Sequence, residues 1–303
     1  MAHIYIYSPS SAVRDKAAFR RGLKRLKAQG HDVEVDAAAL SSHMRFAGDD
    51  ATRIAAIGRA AASGADVALI SRGGYGLTRI LPALPYKQIA KAIDGGMQFV
   101  GLSDFTAFQL AVMSQTGQIT WQGPALGEDF GTVEEPDDIM QACFDDMLLE
   151  QGEGTGWQRP QAEAGHRVKL KDAPLWGGNL TVLTSLLGTP FFPNVSGGVL
   201  FIEDVGEHPY RIERMLTQLL HSGVLAKQKA ILFGQFSNYK LVPAHDKGFK
   251  LATVVDWLRS QVKAPVLTGL PIGHVATKVL LPIGAKVDLV TEGRDALMVW
   301  GHI

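Results

Sequence analysis

The stretch Phe99-Val100-Gly101-Leu102-Ser103-Asp104-Phe105-Thr106 decides how the rest of the chain is interpreted. Residues 97–101 are apolar or small apart from Gln98, which predicts the end of a buried strand, and residues 104–113 have the apolar spacing of a helix. Ser103 then lies on a strand-to-helix turn. Such a turn pushes the hydroxyl out of the sheet and points the next backbone N–H toward developing negative charge. The stretch therefore predicts a candidate nucleophile.

Two features favour a simpler interpretation of this turn. The elbow pattern G-x-S-x-G ends in glycine, whereas this chain has Phe105 at that place. A serine between a strand and a helix is also a common helix N-cap. From the turn alone, both a nucleophile and an N-cap are open for Ser103.

Composition bounds the class of partner. The 303 residues are enough for one large or two medium domains, and two is the better prediction. Thirty basic and thirty acidic residues cancel, so no net field attracts nucleic acid or an anionic membrane. We expect small molecules or protein as partners, with no nucleic acid and no membrane.

The composition also bears on the cellular compartment. Residues 1–14 contain neither a basic leader nor an apolar block, and no window approaches the length of a membrane span. The single cysteine, Cys143, excludes an internal disulfide, as is usual in a reducing compartment. These observations predict a cytoplasmic protein.

The first part of the chain alternates apolar strands with amphipathic helices, which is typical of a parallel α/β sheet. An acidic, glycine-rich segment over residues 131–167 then predicts a connector that contains a helix over 137–149. From residue 168 the chain favours strands and turns. Strands are predicted over 3–7, 32–35, 66–70, up to 101 and 119–121, and helices over 13–29, 51–63 and 104–113.

We therefore predict an α/β protein of two domains. Residues 1–130 would form a Rossmann-like or flavodoxin-like domain with a parallel sheet that carries the nucleophile. Residues 168–303 would form a second α/β domain with a large sheet.

A second functional candidate follows the predicted strand 66–70. Ser71-Arg72-Gly73-Gly74-Tyr75-Gly76, here called the glycine loop, has three glycines in four residues, so its backbone takes unusual dihedral angles or approaches another group closely. Ligands of such folds bind beyond the carboxyl ends of the strands. The glycine loop and Ser103 should therefore face one cleft.

A serine nucleophile needs a base and a group that orients the base. His274 is the best base among nine histidines, because it lies in a turn after Gly273, between two apolar strands. Glu203 closes the apolar run 199–202, where a buried carboxylate needs a hydrogen-bonding or positive partner. Either His274 or one of the arginines Arg211 and Arg214 meets that need.

Cofactor motifs are weak in this chain. Gly74-Tyr75-Gly76-Leu77-Thr78-Arg79 mimics a dinucleotide fingerprint, but Arg79 replaces its third glycine. No G-K-[ST] follows a glycine-rich loop, and the histidines are too scattered for a metal site. We expect no cofactor and no metal.

Taken together, several sequence blocks make the chain resemble the LD-carboxypeptidase family, serine peptidases of bacterial cell-wall recycling. The blocks run in the family's order, and the family's own pattern reads G-x-S-D, so Phe105 is normal for it. They are Ser8-Pro9-Ser10, the glycine loop with Arg79 and Leu81, residues 101–107, 176–180, 200–204, 207–211, 213–216, 269–270, 273–274 and 281–284.

The resemblance implies a catalytic triad with Ser103 as nucleophile, His274 as base and Glu203 as the group that orients it. It also implies hydrolysis of the bond between the L-centre of diaminopimelate and a terminal D-alanine in murein tetrapeptides, and family members commonly form homodimers. We expect the N–H groups of Gly74 and Asp104 to form the oxyanion hole, with a side chain at residue 74 occluding the substrate carbonyl.

Substrate contacts and alternative functions stay open at this point. Arg72 and Arg79 are candidates to bind the terminal carboxylate, and Asn179 is a further candidate for substrate binding. An immunity-type serine peptidase that destroys a peptidyl-nucleotide antibiotic would use the same triad. A two-domain protein that binds a small ligand without chemistry is the alternative from another class.

Overall fold

The computed structural model describes residues 1–303, which form two compact units. The first unit contains residues 1–151, 188–193 and 276–284, and the second contains 152–187, 194–275 and 285–303. The predicted connector, 131–167, is thus divided between the units. No helix combines the length and apolar character needed to cross a membrane.

Thirteen strands form two sheets. The strands are β1 His3–Tyr7, β2 Asp32–Val35, β3 Val67–Ile70, β4 Gln98–Gly101, β5 Thr120–Gln122, β6 Gly154–Gln158, β7 Lys169–Asn179, β8 Val199–Val205, β9 Ala230–Ser237, β10 Val266–Leu267, β11 Leu281–Ile283, β12 Lys286–Glu292 and β13 Asp295–Val299.

Nine α-helices accompany the sheets, with a π-helical turn at Leu126–Phe130. The helices are α1 Lys16–Ala28, α2 Asp50–Ala62, α3 Tyr86–Asp94, α4 Phe105–Thr116, α5 Asp138–Leu148, α6 Leu180–Ser185, α7 Pro209–His221, α8 Pro243–Asp246 and α9 Leu251–Gln261.

The sheet of the first unit has the order β11-β5-β4-β3-β1-β2. Its five N-terminal strands are parallel, as predicted, and β11 is antiparallel to β5. The central strand β3 is buried throughout, which explains its uninterrupted apolar sequence. The carboxyl ends of β1, β3 and β4 carry the Ser8–Ser11 loop, the glycine loop and the Ser103 turn.

Local capping explains where helices begin. The α1 helix was predicted from residue 13 but begins at Lys16, because the Asp15 carboxylate accepts hydrogen bonds from the N–H groups of Ala17 and Ala18. Gly30, with φ of +89°, follows the end of the helix as predicted.

The sheet of the second unit has seven strands in the order β10-β9-β8-β7-β12-β13-β6. Strands β7 to β10 are parallel, whereas β12, β13 and β6 pair antiparallel. The sequence interpretation missed β6, which lies in the predicted connector and forms an edge of this sheet. The prediction of two α/β units, the second with the larger sheet, is confirmed.

Candidate functional site

The backbone of Ser103 is strained. Its φ is +66°, in the left-handed region that residues with a Cβ rarely adopt. The N-cap of α4 is Asp104, and the helix begins without a side-chain cap. Ser103 is therefore not the helix cap that one interpretation of the sequence allowed. A strained serine between a buried strand and a helix has the geometry of a nucleophile elbow.

Phe105, which departs from the elbow pattern, packs inward. Its side chain is fully buried and stacks on Phe108 with ring centroids 4.7 Å apart. A Cβ on Gly101 would lie 2.7 Å from the Cδ1 of Phe105. Glycine at the end of β4 therefore makes room for the phenylalanine ring, and the turn keeps its shape without glycine at residue 105.

The glycine loop approaches the Ser103 turn through Gly73. A Cβ at residue 73 would lie 2.5 Å from the Cβ of Ser103 and 2.8 Å from its Oγ. A Cβ at Gly74, where φ is +95°, would instead lie 2.3 Å from the Oγ of Ser11. The requirement for glycine at residue 74 therefore comes from Ser11 and from backbone geometry, and Gly73 is the glycine that lies against the Ser103 side chain.

The predicted oxyanion donors lie in these two loops of the first unit. Among the backbone hydrogen bonds of the loops, none uses the N–H of Gly74 or of Asp104 as donor. The Asp104 carboxyl is 4% exposed, and burial raises its pKa, although bonds from Ser10 and Leu77 oppose this effect. The side chain of Asp104 thus points into the protein.

The second unit brings Glu203 and His274 together. The Oε2 of Glu203 lies 2.8 Å from the Nδ1 of His274, and the Glu203 side chain is fully buried. Arg211 instead faces Glu207, with 3.5 Å between the charged atoms. Of the partners that the sequence left open for Glu203, the structure therefore selects the histidine.

An irregularity in the sheet sets the position of this pair. The pairing of β8 with β9 shifts register between Ile202 and Asp204, at Glu203 itself. In the displaced part of β9, the N–H of Gln235 donates to the Ile272 carbonyl at 2.8 Å, and its side chain donates to Leu270. Such shifts re-aim side chains and end regular pairing. The register shift at Glu203 lets Gln235 bond the segment that precedes His274, which holds that segment beside the Glu203 carboxylate.

The two arginine candidates differ in their surroundings. Arg79 donates from Nε to Asp50 at 2.7 Å and lies over the Phe46 ring. Arg72 donates to the Ala12 carbonyl at 3.2 Å, and its Nε is 3.9 Å from a Glu128 carboxylate oxygen. Arg72 also lines a cavity with Val13, Arg14, Asp15, Ala18, Phe19, Ser71, Gly127 and Glu128.

Asn179 lies in the second unit and bonds to Asp204, the residue that follows Glu203. Its amide donates to Asp204 at 2.9 Å, and its carbonyl oxygen accepts from the N–H of Val182 at the start of α6. The residue is 4% exposed. Its amide therefore connects the start of α6 to Asp204 in β8, next to Glu203.

The sequence interpretation missed the side chains around the glycine loop. Ser10 and Asp104 meet with 2.5 Å between Oγ and Oδ2, and the fully buried Arg53 donates to the Gly76 carbonyl at 2.7 Å. The resemblance marked Ser8-Pro9-Ser10 as the family's first loop without assigning it a role. Because these partners are far apart in sequence, local patterns carry no signal for them.

Comparisons with known proteins bear on both units. Residues 4–123 match the LD-carboxypeptidase N-terminal domain, and residues 172–289 match the LD-carboxypeptidase C-terminal domain. The chain is 32% identical over 278 residues to the "Probable murein peptide carboxypeptidase" of Bacillus subtilis (strain 168), covering 91% of this chain and 85% of the relative.

A solved structure and a second relative are also similar to this chain. The crystal structure of muramoyltetrapeptide carboxypeptidase from Oxalobacter formigenes superposes with a TM-score of 0.88 at 37% identity, covering 99% of this chain and 98% of that one. The "Microcin C7 self-immunity protein MccF" of Escherichia coli is 26% identical over 248 residues, covering 74% of this chain and 70% of the relative. With both domains matched and relatives above 30% identity that span most of it, the chain belongs to the LD-carboxypeptidase family.

Proposed function

We propose that this protein is a serine LD-carboxypeptidase that releases the terminal D-alanine from murein tetrapeptides during peptidoglycan recycling. The observation that carries the reaction class is the left-handed backbone of Ser103 on its strand-to-helix turn. The names of the Bacillus and Oxalobacter relatives support the substrate class.

Ser103 acts as the nucleophile, and His274 acts as its base. Because Nδ1 of His274 faces Glu203, Nε2 is the ring atom that takes the Ser103 proton. The serine oxygen then attacks the carbonyl of the L-centre that precedes the terminal D-alanine. His274 returns the proton to the leaving amine, and water releases the acyl-enzyme by the same route in reverse.

Glu203 stabilises the imidazolium that forms in each proton transfer. Its carboxylate is fully buried, and one of its oxygens, Oε1, has no hydrogen-bond partner. A carboxylate in such surroundings favours a positive charge on the adjacent ring, because little else compensates its own charge. It also holds His274 in the tautomer whose Nδ1 carries the hydrogen.

The N–H groups of Gly74 and Asp104 donate hydrogen bonds that stabilise the negative charge developing on the substrate carbonyl oxygen. Removing one such donor typically costs about 10²- to 10³-fold in turnover. For the terminal carboxylate of the substrate, Arg72 is the preferred candidate, because Arg79 already donates to Asp50 at 2.7 Å.

Cellular context completes the proposal. The single cysteine, Cys143, and the balanced charge support action in the cytoplasm, on muropeptides recovered from the wall. A homodimer stays a prediction of the family resemblance, and light scattering of the purified protein tests it.

Mass spectrometry of a murein tetrapeptide incubated with the protein is the direct test. We expect the loss of a single alanine, and Ser103→Ala and His274→Ala each to lower kcat by about 10⁴- to 10⁶-fold. The double variant should be hardly slower than either single variant, because triad members act as a unit. Additive losses would contradict a shared step.

A parallel incubation separates the competing functions. An aminoacyl-nucleotide analogue that is hydrolysed while the tetrapeptide stays intact would favour the immunity-type peptidase, the activity class suggested by the similarity to MccF. Binding of the tetrapeptide without cleavage, together with no labelling of Ser103 by a fluorophosphonate, would favour the non-catalytic binding protein.

A further inference from the structure

We propose that the Asp104 carboxylate and the Ser10 hydroxyl are positioning groups that hold the glycine loop against the Ser103 turn. This inference rests on the proposed serine-peptidase function and extends it to two side chains that touch no substrate. It concerns the side chain of Asp104, whereas the oxyanion role concerns its backbone N–H.

Asp104 connects three loops of the first unit. Its Oδ2 lies 2.5 Å from the Oγ of Ser10 and accepts the N–H of Leu77, the residue after the glycine loop, at 2.8 Å. Ser10 follows β1, Leu77 follows β3 and Asp104 follows β4. One buried carboxylate therefore joins the ends of three neighbouring parallel strands.

Side chains fix the glycine loop along most of its length. The carbonyl of Gly74 lies 3.2 Å from the Ser10 Oγ, and the carbonyl of Tyr75 accepts from Ser11 at 3.2 Å. The carbonyl of Gly76 accepts from Arg53, as described above. Ser10 has one hydroxyl hydrogen, and the closer Asp104 carboxyl takes it. Ser10 therefore acts on the glycine loop through Asp104, which accepts the Leu77 N–H, and the two side chains act as a pair.

The contact between Gly73 and Ser103 connects the position of the glycine loop to the proposed reaction. The glycine loop touches the nucleophile closely enough that a single Cβ would not fit, so any displacement of the loop changes the space around Ser103. The Gly74 N–H belongs to the same loop. Oxyanion donors must stay within about 0.5 Å of the productive geometry, so loosening the loop lowers turnover more than it lowers substrate affinity.

The test compares Ser10→Ala and Asp104→Asn in the full-length protein. All variants keep the backbone N–H of residue 104, so any loss comes from the side chain. We expect kcat for D-alanine release to fall about 10-fold in Ser10→Ala and about 10²-fold in Asp104→Asn, with KM within about threefold. The double variant should match Asp104→Asn alone, and Ser10→Thr should restore most of the rate.

Asp36→Asn is the matched control. Asp36 is another buried carboxylate after a parallel strand, and it bonds Tyr5 and Arg59 instead of the glycine loop. Its variant should melt at a lower temperature but keep kcat within about twofold while folded.

The labelling rate of Ser103 by a fluorophosphonate provides a readout that is independent of the substrate. It should fall in parallel with kcat, so it tests the positioning role even if the wild type releases no alanine, a result that would overturn only the proposed substrate. Wild-type kcat and labelling in both variants would overturn the inference. Should Asp104→Asn fail to fold, Ser10→Ala and Ser10→Thr decide it alone.

Discussion

The Oε2 of Glu203 lies 2.8 Å from the Nδ1 of His274, at the point where the pairing of β8 with β9 changes register. Regular pairing would continue the alternation of side chains along the strand, whereas a register shift places a side chain independently of that alternation. The register shift at Glu203 therefore helps to set the position from which its carboxylate meets His274.

Glu203→Gln should lower kcat by about 10⁴-fold while leaving the fold intact, because an amide can stabilise the wrong tautomer of His274 and cannot compensate an imidazolium. D-alanine release gives the rate, and circular dichroism confirms the fold. Wild-type turnover in this variant would remove Glu203 from the mechanism.

Gly73→Ala should fold but lose about 10²-fold or more in kcat, since its methyl group would overlap the Ser103 side chain. Gly58→Ala in α2 is the control, because its Cβ would meet only ordinary contact with Gln88, and alanine favours the helix by up to about 1 kcal/mol. Equal activity in the two variants would contradict the close approach of the glycine loop.

Arg72→Ala should raise KM for the tetrapeptide by about 10-fold, because charged hydrogen bonds contribute about 1.5–3 kcal/mol. Arg79→Ala should change KM less, since that arginine already donates to Asp50. Steady-state kinetics of both variants measures this difference. If neither variant raises KM, another group binds the terminal carboxylate.

Lys278→Met should destabilise the first unit by about 3–5 kcal/mol, because it leaves the Asp129 carboxylate buried without its cation. The two side chains are 3% and 4% exposed. Urea unfolding measures the loss, and Asp129→Leu combined with Lys278→Met should recover most of it. A small effect of the single variant would show that the pair is more hydrated than the structure indicates.

Asp36 should make folding stability sensitive to acid. Burial acts to raise its pKa, but hydrogen bonds from Arg59, Tyr5 and the Ala38 N–H outweigh burial, so the pKa lies below its ordinary value. A lowered carboxyl pKa contributes stability above the unfolded value of about 3.9, and this is lost as the pH falls through the folded value. The difference in unfolding free energy between wild type and Asp36→Asn should therefore shrink progressively as the pH falls from about 4 toward the folded pKa of Asp36. A constant difference would contradict the linkage.

Local pattern predicted α1, α2, α4 and the parallel strands of the first unit, because each has its own periodicity. It missed α3, and it assigned β11 to the second domain because that strand lies far along the chain from its sheet. The pairing of Glu203 with His274 was one of two options in the sequence, and the fold was needed to select it. Strand β6 was missed because GTGWQ has no alternation of its own and gains its place only by pairing with β13. The contact of Gly73 with Ser103 depends on two strands coming side by side, which no local window contains.

The first unit is assembled from three separate stretches of chain, and its edge strand β11 and the partner of Asp129 are both encoded after residue 275. During synthesis on the ribosome, folding of the first unit cannot be completed until residues 276–284 have been made. At about 5–20 residues per second, the delay after residue 151 is on the order of ten seconds. During that time β5 has an open edge, so the nascent chain should depend on chaperones that shield unpaired strands, and a gene cut after residue 151 should yield an aggregating fragment.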